Sequence, residues 1–251
     1  MLCGRTALVT GASSGIGRDI ARALASAGAN VVAAARRMDR LEDLVSDIEA
    51  AGGRAMAVRA DVEDEASLIA AFDAAQARFG LIDTVYANAG IDVEGLATDL
   101  PAEAFDRVMR INTRGVFLTA REAARRLLAA GPDAASRGRI VLVGSIGGLT
   151  VIPGSTAYCV SKAGVVMLGR SLAREWARQG LNVNVVCPGF LETELNRDRL
   201  ALEAGKKMVR AFPRRRLMTT DDLQGLMLFL GSDQSRAVTG GVFTIDDGQS
   251  L

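Results

Sequence analysis

Short apolar runs alternate with longer amphipathic stretches along the whole chain. Runs at 5–10, 30–35, 54–59, 82–87, 138–144, 182–187 and 241–245 predict strands. The stretches at 15–28, 39–51, 64–79, 101–130, 156–179 and 220–231 predict helices. The runs are rich in Val, Ile and Ala with little polar alternation, which suits strands covered on both faces. Strand–helix alternation of this kind predicts a parallel, doubly wound α/β sheet of seven strands with helices on both faces. Right-handed crossovers then bring the C-terminal ends of the strands to one edge, where ligands bind in such sheets. One stretch breaks the pattern: 190–215 is polar, arginine-rich and only loosely periodic, and it reads as a mobile flap over the ligand edge. No linker, repeat or low-complexity segment divides the chain, so residues 1–251 are expected to form a single domain.

Composition narrows the function more than the fold. With 49% hydrophobic and 24% charged residues and a net charge of +1, nothing draws the chain to nucleic acid or an anionic membrane surface. No apolar run approaches the roughly 20 residues of a membrane span, and Thr6–Thr10 follows no signal-peptide pattern, so a cytoplasmic location is expected. Cys3, Cys159 and Cys187 are far apart and show no paired spacing, which fits reduced packing residues and no metal site. The chain contains no histidine. That excludes Ser-His-Asp and Cys-His catalysis and leaves acid–base work to Tyr, Lys, Asp, Glu or Cys.

The first strand runs into Thr10-Gly-Ala-Ser-Ser-Gly-Ile-Gly17, which opens a helix. Gly11, Gly15 and Gly17 permit a tight turn and close backbone approach, and the helix N-terminus presents free N–H groups to a pyrophosphate. Ser13, Ser14 and Ile16 complete this loop. Gly11–Gly15 also matches the G-x-S-x-G elbow of hydrolases, but a serine there needs a histidine to activate it. At the end of the second strand an acid would accept hydrogen bonds from the ribose of NAD. Ala35 stands there, followed by Arg36 and Arg37, whose guanidinium groups suit a 2′-phosphate, so NADP(H) is favoured over NAD(H).

Tyr158 and Lys162 lie four residues apart in a helical stretch and therefore share a face. The nearby cation is expected to lower the phenol pKa from about 10 towards the working range. Ser145 follows the strand 138–144 and so sits at the ligand edge, where its hydroxyl could bond a substrate carbonyl oxygen.

With these motifs in order, the whole chain resembles the short-chain dehydrogenase/reductase family in its single-domain, Rossmann-type branch. The resemblance runs through Thr10–Gly17, Asp61, Ala87-Asn88-Ala89-Gly90, Asn112, Ser145, Tyr158-x-x-x-Lys162, Pro188-Gly189 with Thr193, and Thr239-Gly240-Gly241. It implies a catalytic tetrad of Asn112, Ser145, Tyr158 and Lys162. In that tetrad Tyr158 would exchange the proton, Lys162 would bind the nicotinamide ribose, and Asn112 would hold a relay water. It also implies adenine contacts from Asp61 and Val62, a cofactor wall of Asn88, Ala89 and Gly90, and nicotinamide contacts from Pro188, Gly189, Leu191 and Thr193. The expected activity is carbonyl reduction or secondary-alcohol oxidation, in a homotetramer or dimer. Two positions depart from the family pattern: Ala87 replaces the first of two asparagines, and Asp246-Asp247-Gly248 replaces Asp-Gly-Gly.

Residues expected to face the substrate are Ile146, Gly147, Leu149, Val151, Ile152, Phe190 and Leu191, which favours a moderately hydrophobic ketone or alcohol. Pro188–Leu195 resembles the corresponding segment of 3-oxoacyl-carrier-protein reductases, making β-ketoacyl thioester reduction the neighbouring alternative. Arg214, Arg215 and Arg216 fit a solvated or inter-subunit patch better than a docking point for an acidic carrier. A cofactor sensor without catalysis would not need the tetrad, and a methyltransferase would call for an acid where Ala35 stands.

Overall fold

The computed structural model describes residues 1–194 and 196–251. Its strands are β1 (Thr6–Thr10), β2 (Asn30–Ala35), β3 (Arg54–Arg59), β4 (Thr84–Ala87), β5 (Arg139–Val143), β6 (Asn182–Pro188) and β7 (Val242–Ile245). They pair in parallel in the order β3-β2-β1-β4-β5-β6-β7. The order reverses between β1 and β4, and a doubly wound sheet opens its ligand crevice at that reversal.

Consecutive residues of a strand feed opposite cores. Leu8, Val85, Ile140 and Val183 pack on one face with Phe72, Leu127 and Trp176. Val9, Val31, Val141 and Val186 pack on the other with Leu24, Leu44 and Met227. Both faces are dry, which is why the strands read as unbroken apolar runs. The first face is covered by α3 (Glu65–Phe79), α5 (Val116–Ala129) and α7 (Thr156–Trp176), the second by α1 (Gly15–Ser26), α2 (Met38–Ala50) and α10 (Asp221–Gly231). Short helices α4 (Ala102–Met109), α6 (Pro132–Arg137), α8 (Arg197–Ala201) and α9 (Glu203–Ala211) complete the chain order.

Caps set several boundaries. Asp64 accepts a hydrogen bond from the Ala66 amide at 2.9 Å and starts α3, and Gly80 at φ +78° ends it. At the N-terminal end of the sheet, buried Arg5 reaches Thr84 Oγ1 and the Arg137 carbonyl, each at 3.0 Å, and pairs with Asp83 and Asp233. This charge cluster joins the start of β1 to β4, α6 and Asp233 at the end of the sheet opposite the crevice.

One expectation needs correction. The predicted helix at 101–130 is two helices joined by a π-helical turn over Arg110–Gly115. A π turn inserts a residue into the 3.6 repeat, and a hydrophobic pattern averaged over thirty-odd positions hides it. The polar stretch expected as a flap carries α8 and α9, and Leu191 pairs with Met218 at its edge. Leu195, within the motif 188–195, lies outside the described residues.

The C-terminal departure from the family pattern is a turn. Asp246 accepts from the amides of Gly248 and Ser250 at 3.0 and 2.9 Å. Gln249 then clamps Phe190, taking its N–H at 2.5 Å and donating to its carbonyl at 3.2 Å. The chain's end thereby holds the segment that leaves β6 over the crevice.

Candidate active site

The glycine loop is shaped by contacts that leave no room for side chains. Thr10 Oγ1 accepts from the Asn88 and Ala89 amides at 3.0 and 3.2 Å, and Asn88 Nδ2 donates to the Thr10 carbonyl at 2.9 Å. These bonds draw the ends of β1 and β4 together. A Cβ on Gly17 would come within 2.5 Å of Asn88 Nδ2 and 2.6 Å of the Gly11 carbonyl oxygen. Gly11 itself has φ +72°, and a Cβ there would meet Ala89 Cα at 2.9 Å. The α1 N-terminus, with Ser14 as its first flanking residue and no side-chain cap, faces the crevice. Its first amides have no intrahelical acceptor, which makes the turn a site for an anion.

Around this loop lies a cleft of about 490 Å³. Gly11, Ser13, Ser14, Gly15 and Ile16 line one side, and Arg36, Arg37, Asp61 and Val62 close one end. Asn88, Ala89 and Gly90 form the middle, and Ser145, Tyr158 and Lys162 stand at the other end. Pro188, Gly189, Leu191 and Thr193 come from beyond β6. Gly17 is buried beneath the loop, outside the lining, and Asn112 sits behind Gly90 with Ile111 reaching the cleft in its stead. An extended ligand that carries a phosphate fits this outline, since the lining runs from Arg36 to Lys162 past the uncapped N-terminus of α1.

The tetrad residues converge. A Cβ placed on Gly147 would lie 3.2 Å from Tyr158 Cε1 and 3.4 Å from Ser145 Oγ, so hydroxyl and phenol ring flank one point. A Cβ on Gly90 would lie 3.3 Å from Asn112 Oδ1 and 3.5 Å from Lys162 Nζ. Ser145 Oγ also accepts from the Gly147 amide at 3.0 Å, which fixes its position. Asn112 spends both amide hydrogens inside the protein, on the Ile91 carbonyl at 2.8 Å and Ser161 Oγ at 3.0 Å. Its Oδ1 takes the Ile91 N–H at 2.8 Å. The side chain therefore ties the π turn to the strand end and to α7.

Lys162 Nζ is buried, donates to the Val143 carbonyl at 2.8 Å, and stands 5.7 Å from the Tyr158 ring centre. Burial pushes its pKa down to about 8. The Tyr158 phenol moves the other way: burial pushes it up to about 12, against a smaller lowering by Ser145. This corrects the expectation that the lysine would bring the phenol towards neutrality. The cation is bonded to a carbonyl and not to the phenol, and desolvation of the phenolate outweighs its attraction. Tyr86, the chain's other tyrosine, is fully buried and donates to the Met227 carbonyl at 2.6 Å, so it is a structural group.

At the Arg36–Arg37 end, Arg37 donates to Ser13 Oγ at 3.0 Å and Ser14 Oγ at 2.7 Å. Among the described residues, no carboxylate pairs with Arg36. Of the expected substrate-facing residues, Ile146, Ile152, Phe190 and Leu191 line the cleft. Gly147 supports Ser145 from beneath, while Leu149 and Val151 point to solvent, 49% and 81% exposed. A short helical turn at Ile146–Gly148 carries the chain away from the cleft sooner than an extended segment would.

The family model described as Enoyl-(Acyl carrier protein) reductase matches residues 11–250. The chain belongs to the short-chain dehydrogenase/reductase family. It is 38% identical to "Oxidoreductase UcpA" of Salmonella typhimurium, over all of this chain and 96% of that protein. It is 36% identical to the 3beta-hydroxysteroid dehydrogenase 1 of Eggerthella lenta, over all of this chain and 95% of that protein. Among solved structures, the gluconate 5-dehydrogenase of Burkholderia cenocepacia in complex with NADP and tartrate superposes with a TM-score of 0.93 at 33% identity. That match covers 99% of this chain and 96% of the other. As a short-chain dehydrogenase/reductase, the protein is an oxidoreductase of a family that binds a nicotinamide dinucleotide.

Three polar cleft residues of this short-chain dehydrogenase/reductase escape sequence reasoning: Asp92, Glu194 and Asn196. Each lies within three residues of a motif position, and adjacency was the only signal available. Asn196 braces the turn beyond β6, taking the Thr193 amide at 2.9 Å and donating to the Leu191 carbonyl at 2.8 Å. Asp92 accepts from Ser155 Oγ at 2.8 Å and adds a carboxylate to the substrate end. No helix among the described residues is long and apolar enough to cross a membrane.

Proposed function

We propose that this enzyme interconverts a ketone and a secondary alcohol using NADP(H), with Tyr158 as the proton donor in the reductive direction. The observation that carries the reading is that Ser145, Tyr158 and Lys162 stand together at one end of the cleft, with the Ser145 hydroxyl in hydrogen-bond reach of the phenol. The bound dinucleotide supplies or accepts the hydride. Gly11, Ser13, Ser14, Gly15, Ile16 and the α1 N-terminus would hold its pyrophosphate, with Gly17 giving the loop room. Asp61 and Val62 would meet the adenine, Asn88 to Gly90 would form the wall, and Pro188, Gly189, Leu191 and Thr193 would bracket the nicotinamide.

Ser145 orients the carbonyl oxygen, and Tyr158 donates its proton to that oxygen. With a pKa pushed up to about 12, the phenol is fully protonated near neutrality, the form a donor needs. Lys162 binds the ribose and restores the proton through the polar space behind Gly90. Asn112 shapes that space by fixing Ile91 and α7 in place. Any water it holds there can use only its oxygen atoms as acceptors, because its amide hydrogens are engaged.

Consumption of NADPH, followed by absorbance across a panel of ketones and aldehydes, tests this reading directly. Uncharged, moderately apolar ketones should be the best substrates. Ile91, Ile146, Ile152 and Phe190 supply apolar walls, and the Asp92 carboxylate opposes an anionic group near the reacting carbon. A chain that binds neither nicotinamide dinucleotide and turns over no carbonyl would overturn it. β-Ketoacyl thioesters belong in the panel, yet Arg214 and Arg216 pair with Asp247, and Arg216 also with Asp222, which weakens the case for an acidic carrier.

Arg36→Asp should move preference from NADPH towards NADH, since a phosphate contact is lost and repulsion added; each good charge-assisted contact is worth roughly 1.5–3 kcal/mol, so about tenfold or more in relative kcat/KM is expected. A wild-type enzyme already faster with NADH would contradict the NADP(H) assignment.

The pH profile follows from the two shifts. Tyr158 stays protonated through the neutral range, while Lys162 loses its charge as pH rises through about 8. The reductive kcat should be level on the acid side of that value and decline above it. The reverse oxidation, which needs a proton acceptor, should rise over the same interval. A reductive rate that climbs on the alkaline side of 8 would refute this assignment of the proton path.

The protein is also expected to associate as a dimer or tetramer. Val160 and Met167 are 46% and 59% exposed on one side of α7, an apolar surface that a second copy would cover.

A further inference from the structure

Glu194 stands in the turn between Leu191 and α8, and its carboxylate is spent on two arginines. Arg37 Nη1 donates to Oε2 at 3.0 Å, and Arg40, in the first turn of α2, pairs with Oε1. Arg37 Nε and Nη2 donate to Ser13 and Ser14 in the glycine loop. Arg40 and Arg37 together hold the Glu194 carboxyl below the usual carboxylate range, so it is an anion at every working pH. Contacts on either side hold Thr193 beside it. Asn196 braces the turn from within, and Thr193 Cγ2 lies 3.5 Å from where a Gly15 Cβ would stand. Glu194 is therefore an internal anion fixed on the arginine pair at the end of β2 and the start of α2.

We propose that Glu194 is a cofactor-specificity residue, occupying on Arg37 the position that the 2′-phosphate of NADP(H) requires. The proposal rests on reading this cleft as a dinucleotide site. A 2′-hydroxyl leaves the Glu194 ion pairs intact. A 2′-phosphate, with more charge and more acceptor oxygens, must take Arg37 from the carboxylate or bind through Arg36 alone. Either way NADP(H) loses affinity that NAD(H) keeps. The segment 191–194 is tethered to α2 more firmly with NAD(H) than with NADP(H). Preference for the phosphorylated cofactor is thus lower than the Arg36–Arg37 sequence alone would set.

Both partners are about two-fifths exposed, so each pair is screened and modest. The test is dissociation constants for NADPH and NADH, by nucleotide fluorescence, in the wild type and in Glu194→Gln. NADPH affinity should rise about fivefold in the variant while NADH changes by less than about twofold, the size expected when two exposed pairs stop competing. The NADPH gain should shrink at high salt, because the competition it removes is electrostatic. Unchanged or weaker NADPH binding in the variant would overturn the proposal, as would equal gains for both nucleotides. A wild type that binds neither nucleotide would overturn the dinucleotide reading itself, and this proposal with it.

Discussion

Replacing Tyr158 by phenylalanine should lower turnover by about 10²–10⁴-fold, the range spanned by a positioned general acid, while NADPH affinity stays within about twofold of wild type. The change removes one oxygen and leaves the ring, with its packing near Gly147 and its cation–π contact with Lys162 Nζ. Among the described residues, no second phenol or imidazole stands in the cleft to replace the lost proton. Tyr86 is buried elsewhere on a carbonyl, the chain has no histidine, and Ser145 Oγ is not acidic. Lys162 has its pKa pushed down to about 8, but it is bonded to the Val143 carbonyl. Steady-state kinetics with the best carbonyl substrate, paired with a fluorescence titration, separates the two effects. Turnover retained within tenfold would remove Tyr158 as proton donor, and NADPH binding lost along with turnover would make its role structural.

Gly17→Val should abolish dinucleotide binding at ordinary concentrations and also lower the melting temperature. The first atom added already overlaps Asn88 Nδ2 at 2.5 Å and the Gly11 carbonyl oxygen at 2.6 Å, so the loop must move. That movement breaks the bonds joining Thr10 to Asn88 and Ala89, and overpacking of this kind costs about 1–3 kcal/mol in stability. Each hydrogen bond from the displaced loop to a phosphate is itself worth ~1.5–3 kcal/mol, so affinity should fall by about a hundredfold or more. Calorimetric binding and thermal unfolding read the two consequences independently. Wild-type affinity in this variant would show that the cradle is not where the cofactor sits.

The residues of the site were legible to different degrees, and the differences have causes. Gly11 to Gly17 and the Tyr158–Lys162 pair are short-range motifs whose meaning depends on spacing within one loop or one helical turn. Ser145 and Arg36 could be placed because a strand end is a fixed point in a doubly wound sheet. Asn112 was named through resemblance alone, and its contacts with Ile91 and Ser161 depend on a π turn that periodicity averages away. Leu149 and Val151 were expected at the substrate, yet the helical turn after Ser145 directs them to solvent. Glu194, Asp92 and Asn196 are ordinary polar residues in a loop, and only the folded chain puts them against Arg37, Ser155 and Thr193.

From the amino-acid order alone follow the seven strands, the parallel winding, the edge that carries the ligand and the absence of histidine chemistry. These depend on periodicity, turn residues and composition, which are local properties. Tertiary structure decided the sign of the Tyr158 shift, the partner of Lys162 and the occupant of Arg37. Each is set by burial or by contact between segments remote in the chain. Desolvation and long-range pairing exist only once the chain has closed around them.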